Sequence, residues 1–323
     1  MKRRRPSVDG FLSSDAERTL CLHGPARSLS RSPRSMGFDG YLIGDGNVVT
    51  QHELYERFKG LHERAGGFVM PNPWDGVSAL LCKEAGFEAL GTSSAAIAFS
   101  LGRLDGTHAV SREEHLQNAV LIGRITGLPV NGDTEDGFGP APADAVATVE
   151  AAIAAGLAGV AIEDTTADPN EPIHRFDDAV GRVRQAAKAA SGRIVLTART
   201  DNFLHGIDDL DDTIKRLVAF AEAGADVLYA PFPKDMDAVR AIVKAVAPKP
   251  VNVVIGPASG PVPVAELQAA GVKRISLGAA GYTNAMGTLR ASLKEAMGGN
   301  LVPVSTGMRA KTIMKLIEKA AAT

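Results

Sequence analysis

The chain has 323 residues, 45% of them hydrophobic, and a formal net charge of -2. That length can bury a large core, in one big domain or two small ones, and the near-neutral balance gives no electrostatic reason to expect nucleic acid or an anionic membrane as a partner. Its apolar runs fall short of the ~18–20 residues of a membrane span, and two cysteines, Cys21 and Cys82, are too few for a disulfide framework, which points to a reducing, cytoplasmic setting.

Residues 1–47 differ from the rest. "MKRRRPSVDG" and "ARSLSRSPRSMG" are rich in Arg, Ser, Pro and Gly and show no apolar period, the composition of a disordered tail. The Arg and Ser content resembles a transit peptide, but Asp9, Asp15 and Glu17 argue against one, and Met36 is a candidate alternative start. The folded, catalytic domain is expected over residues 48–323. It opens at Thr50, whose spacing from Glu53 is that of a capping box at a helix start. Cys82 lies in the apolar helical stretch "SALLCKEAGF" and reads as a packing residue.

Eight short apolar runs follow: "GFVMPN", "FEALGTSS", "LPVNGDTED", "GVAIEDTT", "RIVLTARTD", "DVLYAPFP", "PVNVVIG" and "RISLGAAG". Most are β-branched or aliphatic and look buried on both faces, as parallel strands are. Helical patterns fill the gaps. One opens at Ser111 and Glu114 with a second capping box, and four end in Ala-Gly, at Gly86, Gly156, Gly224 and Gly271. Those four lead into the second, fourth, sixth and eighth runs. The two-unit rhythm suits the α/β class as a (β/α)8 TIM barrel, whose alternate strands fill alternate layers. A doubly wound open sheet is the rival; it gives no reason for eight units, and no Gly-x-Gly-x-x-Gly follows the first run. After the eighth run two more helices are expected. One closes the barrel. The extra C-terminal helix carries Met308, Ile313, Met314, Leu316 and Ile317 as an apolar stripe, to pack on its own barrel or on a partner subunit.

In such a barrel the active site lies at the C-terminal strand ends. There the chain places Trp74 and Asp75, then Ser93, Ser94 and Ala95 with Asp105 in the following loop. Next come Asp133 and Glu135, Glu163 and Asp164, Arg199 and Asp201, and finally Asn252. Carboxylates without His or Cys nearby suit Mg2+ or Mn2+ rather than zinc. Arg199 offers a planar fork to a substrate carboxylate, or else pairs with Asp201 or Glu163. Backbone N–H groups near Ser93 to Ala95 are placed to hold a developing oxyanion. In "NGDTEDGFGPAP", Asp133 and Glu135 alternate about Thr134, so an extended strand end would point both into the cavity. Asp136, beside Gly137, is left as the turn acid.

These stretches, with "PNPWDGVSA", "GTSSAAIAFSLGRLDG", "PVNGDTEDGFG", "GVAIEDT", "LTARTD", "AGADVLYAP" and "PVNVV" in this order, resemble the isocitrate lyase and phosphoenolpyruvate mutase superfamily over about Phe68 to Leu289. The resemblance implies a (β/α)8 barrel, usually a tetramer whose last helices swap between subunits. It implies Mg2+ bound directly at Asp133, with Asp105, Glu135 and Glu163 holding its waters. Ser93, Ser94 and Ala95 would bind the α-keto acid end, Arg199 a substrate carboxylate, and Asn252, a looser match, the substrate as well. Glu135 stands where many members have Asp. The loop after the fourth strand departs further. The family's lyases carry Lys-Lys-Cys-Gly-His or Lys-Arg-Cys-Gly-His there, whereas this chain reads "DTTADPNEPIHRFDD". Asn170 and His174 are its only candidates for a proton donor, and a loop histidine is more often structural.

The function expected is therefore Mg2+-dependent cleavage of a C–C bond in a small α-keto or 2-hydroxy acid through a pyruvate-type enolate, with Trp74, Ser93, Ser94, Ala95, Arg199 and Asn252 binding substrate. Arg199, Glu163 and Asp105 would act in the chemistry. Decarboxylation of an oxaloacetate-like acid fits the missing Cys best, because departing CO2 needs no proton. Open alternatives are a 2-methylisocitrate or isocitrate lyase, a C–P enzyme of mutase or phosphonopyruvate hydrolase type, and a non-catalytic α-keto acid binder. The expected partners are a small carboxylic acid and further copies of the chain, as a dimer or tetramer.

Overall fold

The computed structural model of the protein describes residues 41–42, 48–257, 259–260 and 262–322. The disordered tail expected over residues 1–47 lies outside them except for Tyr41–Leu42 (β1), which pair antiparallel with Val48–Val49 (β2). The eight apolar runs are eight strands: β3 (Phe68–Met70), β4 (Leu90–Gly91), β5 (Val130–Asp133), β6 (Gly159–Glu163), β7 (Val195–Arg199), β8 (Val227–Tyr229), β9 (Val251–Val254) and β10 (Arg274–Ser276). They pair in parallel, each with its neighbour in sequence from β4 to β10, and β10 pairs with β3. Every residue of β6 and β9 is buried, as two-sided cover by helices requires.

Between β3 and β4 the ladder gives way to a seam. Gly91 N–H donates to Pro71 O at 3.0 Å. Asn72 bridges the seam with its carboxamide: Nδ2 donates to Thr92 O at 2.7 Å, while Oδ1 accepts from Leu277 and Gly278 N–H at 3.0 and 2.9 Å. A Cβ at Gly91 would come within 2.9 Å of both the Met70 and Asn72 side chains and push on the Asn72 carboxamide that bridges the seam.

The helices are α1 (Gln51–Glu63), α2 (Gly76–Glu84), α3 (Ser94–Ser100), α4 (Arg112–Thr126), α5 (Pro142–Ala154), α6 (Phe176–Ala190), α7 (Leu210–Glu222), α8 (Met236–Val246), α9 (Val264–Ala269), α10 (Ala280–Met297), α11 (Val302–Ser305) and α12 (Ala310–Ala322). Both expected capping boxes form, at Thr50 with Glu53 and at Ser111 with Glu114. All four Ala-Gly glycines have φ between +84° and +109°, the left-handed turn that ends a helix and starts the next strand. None of the helices described is long and apolar enough to cross a membrane. The C-terminal helix α12 lies against α2 and α4 of its own chain with Leu316 buried, leaving Met308, Met314 and Ile317 exposed.

Helix α1 closes the lower end. Leu54, Tyr55 and Phe58 cluster with Phe68, Ala89, Ala158, Val195 and Val227, all at or just before strand starts. Gln51 Nε2 fixes the entry of the helix by donating to Leu157 O at 2.9 Å and Arg193 O at 2.7 Å. Phe58 is fully buried, so Phe58→Ala should cost about 3–5 kcal/mol. Urea denaturation measures this, and a loss under about 1 kcal/mol would show that α1 is not a plug.

Candidate active site

The upper strand ends open into a cavity of ≈ 420 Å³. Its wall includes Ser93, Ser94, Ala95, Asp105, Asp133 and Arg199 of the predicted residues, and Asn252 lies deeper. Ser93 to Ala95, expected at a strand end, form the N-cap and first turn of α3. Ser93 caps that helix by accepting from Ala96 N–H at 3.3 Å. First-turn N–H groups have no carbonyl partner within their helix. Here Ser94 N–H donates to Asp133 Oδ2 at 2.9 Å, and Asp133 N–H donates to Thr92 Oγ1 at 2.8 Å. The carboxylate at the end of β5 is thereby held against the start of α3.

Arg199 lies among acids. Its Nε donates to Asp201 Oδ1 at 2.5 Å and its Nη1 is 2.9 Å from Glu163 Oε2 and 3.8 Å from Asp133 Oδ1. The guanidinium also sits 5.2 Å from the Tyr229 ring centroid. Burial alone would depress the Arg199 pKa, but the charges of Asp201 and Glu163 outweigh it and raise it. Burial pushes the Glu163 carboxyl well above the usual carboxylate range against the Arg199 charge. The pairing of Arg199 with Asp201 and Glu163, one of the two sequence alternatives, is thus present, and Arg199 also lies on the cavity wall.

Of the residues expected to bind substrate or metal, Trp74, Glu163 and Glu135 do not line the cavity. Trp74 packs edge-on against Tyr282, ring centroids 5.4 Å apart, and its carbonyl accepts from Asn118. Glu163 faces Arg199. Glu135 turns away because the chain leaves the extended conformation after Asp133: its φ is +47°, so the alternation expected of a strand end fails. Its carboxylate lies 3.4 Å from His115 Nε2 and 3.8 Å from His108 Nε2. Asp136 is the turn acid expected, accepting from Phe138 N–H at 2.9 Å, with His108 Nε2 2.8 Å from the same oxygen.

Of the four acids expected about a metal, Asp133 as its direct ligand and Asp105, Glu135 and Glu163 through its waters, only Asp133 and Asp105 line the cavity. Among the described residues no group of three or more His, Cys, Asp or Glu is placed to hold a metal ion. Asp133 and Asp105 remain as the cavity's acids. Asp105 Oδ1 is buried with no hydrogen-bond partner, and burial, reinforced by the Asp133 charge, pushes the carboxyl up to about 6. An orphaned carboxylate oxygen beside a second acid fits a hard divalent cation, and Mg2+ takes few protein ligands while keeping its waters. In the loop after β6, Asn170 bonds Asp168, and the His174 N–H donates to Asp164 O at 2.7 Å. Neither residue reaches the cavity wall. Asn72, Asn131, Tyr229 and Arg274 do, and went unread in the sequence. The signal available for them was a polar side chain inside, or just beyond, an otherwise apolar run.

The Asp105 shift has a measurable sign. Its folded pKa lies above the ordinary 3.8, so the stabilisation is full below that value and is lost as pH rises through about 6. Without metal, Asp105→Asn should flatten the fall in thermal stability across that window and gain on the order of 1–3 kcal/mol at neutral pH. A variant with the wild-type pH slope would refute the assignment.

Comparison with known proteins extends the picture. Residues 58–297 match the model of the phosphoenolpyruvate phosphomutase family. An uncharacterised Mycobacterium tuberculosis protein is 32% identical over 70% of this chain and 83% of its own length. A Bacillus subtilis 2-methylisocitrate lyase is 32% identical over 56% of this chain and 60% of its own. A Pseudomonas aeruginosa oxaloacetate decarboxylase is 29% identical over 61% and 69%. The crystal structure of a candidate lyase/mutase from Burkholderia cenocepacia superposes with a TM-score of 0.79 and 43% identity, covering 83% of this chain and 97% of that one. The barrel, the matched span and these relatives place the chain in the phosphoenolpyruvate phosphomutase family, within the isocitrate lyase and phosphoenolpyruvate mutase superfamily.

Proposed function

We propose that the protein is a Mg2+-dependent carbon–carbon lyase that decarboxylates an oxaloacetate-like α-keto diacid. The observation that carries this reading is the convergence of Asp105, Asp133, the first turn of α3 and Arg199 on one cavity. Asp133 and Asp105 would hold the cation, which when bound supplies Lewis-acid stabilisation worth several kcal/mol. The backbone N–H of Ala95, on the cavity wall at the start of α3, would meet the keto oxygen, where negative charge develops, and one such donor contributes about 3 kcal/mol. Arg199 orients a substrate carboxylate while Glu163 and Asp201 fix its plane. The bond between C3 and the departing carboxylate breaks, its electron pair moves into C2–C3, and the keto oxygen takes the charge. CO2 leaves, and C3 then takes a proton from solvent. That course asks nothing of the loop after β6, which brings no Cys, Lys or His to the wall. The likeness to an oxaloacetate decarboxylase supports it, and the likeness to a 2-methylisocitrate lyase keeps longer acids in the panel.

Pyruvate release from oxaloacetate should depend on added Mg2+, stop with EDTA, and fall about 100-fold or more in Asp133→Ala. Equal rates with and without EDTA would end the proposal. Succinate formed from 2-methylisocitrate would move it to the lyase reading.

The same proposal includes a homo-oligomer in a reducing, cytoplasmic setting. Leu289, Leu293, Met297 and Met314 lie exposed along α10 and α12, the kind of apolar surface that subunit contacts cover. Sedimentation should give a dimer or tetramer; a monomer at micromolar concentration would remove this part.

A further inference from the structure

A second guanidinium lies in the barrel below Arg199. Arg274 opens β10, is 1% exposed, and lines the same cavity. In most (β/α)8 barrels such interior positions hold branched apolar side chains. Arg274 Nε donates to Asn252 Oδ1 at 3.0 Å and Nη2 to Thr197 Oγ1 at 2.9 Å. Its guanidinium is 6.0 Å from the centroid of the Phe58 ring, part of the lower plug. All three neighbours are uncharged. Nη1 has no acceptor among the described residues, and no ion pair involves this side chain there. Arg199 faces three carboxylates; Arg274 faces none. A buried cation without a counter-charge is a costly thing to keep in a fold. Burial does lower its pKa, to about 10, which leaves it protonated at neutral pH.

The strand register connects the two arginines. Glu163 pairs with Arg199, Arg199 with Tyr229, Tyr229 with Asn252, Asn252 with Arg274, and Arg274 with Phe68. Register partners on neighbouring strands point to the same face of a sheet. Barrel strands tilt against the axis, so such a row runs obliquely down the wall. This row starts at the last residue of β6 and ends at the first residue of β3. Arg199 stands near its upper end and Arg274 near its lower end, three strand steps of about 4.8 Å apart. Tyr229 and Asn252 stand between them, and all four line the cavity.

We propose that Arg274 is an anion subsite at the cavity floor that binds the far carboxylate of a dicarboxylic acid whose near end lies by Asp133 and α3. The subsite rests on the reading that this cavity takes a carboxylic acid, and it makes a second carboxylate a condition of tight binding. A carboxylate is the matching ion for a guanidinium edge with a free N–H, and a buried site built to pair a group rejects analogues lacking it. The rival account is a brace that ties β7, β9 and β10 through Thr197 and Asn252. A brace contributes stability and is indifferent to the ligand.

Calorimetric titration with Mg2+ present separates the two, using length-matched acids: succinate against butyrate, and 2-oxoglutarate against 2-oxopentanoate. The wild type should bind at least one diacid about 30-fold or more tighter than its matched monoacid. Arg274→Met should erase that ratio and leave monoacid affinity within about 3-fold. Arg274→Lys, which keeps the charge and loses the fork, should retain part of the ratio. Thr197→Val, which cuts the brace alone, should lower thermal stability and keep the ratio. No diacid preference in the wild type would overturn the proposal. So would an unchanged ratio in Arg274→Lys and Arg274→Met, or an equal loss of both ligands. If Arg274→Met does not fold, the Lys variant and the wild-type ratio decide. A clear diacid preference in a protein that leaves oxaloacetate intact would retire the decarboxylase reading and keep the subsite.

Discussion

Arg199 meets oxygens of Asp133, Glu163 and Asp201 at 2.5 to 3.8 Å inside a wall that excludes most water. Like charges at that density repel, and burial strengthens the repulsion because little solvent screens it. One guanidinium holds the acids together by standing between them. It also leaves an excess of negative charge on the cavity side, where Asp105 has an oxygen with no partner. That unpaired oxygen is where the proposed cation would bind. Barrel geometry makes this possible: strand ends distant in sequence arrive at one mouth, so acids from β5 and β6 and the arginine of β7 become neighbours.

Much of this was legible in the chain. Eight short apolar runs became eight strands because burial on both faces leaves no place for alternation. The Ala-Gly pairs marked four helix ends because only a left-handed residue lets the chain leave a helix and enter the next strand directly. The residues at the strand ends were found for the same reason, since a strand must stop somewhere and its polar terminus shows where.

What was not legible depended on backbone shape or on partners far away in sequence. Glu135 was read as a second inward acid by extending the strand by two residues. A left-handed φ of +47° sends it to His115 and His108 instead. No local signal forecasts positive φ at a glutamate, because the residue types that favour it are Gly, Asn and Asp. The helix that starts at Ser94 went unread because seven residues are too few to show a period. Arg274 went unread, since a lone Arg at the start of an apolar run carries no local sign of facing inward. Only the register with Asn252, Tyr229 and Arg199 turns it toward the cavity.

The seam at Asn72 bears on how such a chain is made. β3 is the first barrel strand to leave the ribosome, yet among the described residues its only ladder partner is β10. The carboxamide that staples the seam accepts from backbone groups 205 and 206 positions further on. Until Ser276 has been synthesised, β3 has a plug beneath it and no strand to pair with. From β4 to β7 each strand pairs with the one just before it in sequence. β3 can therefore join the ladder only once β10 has been made.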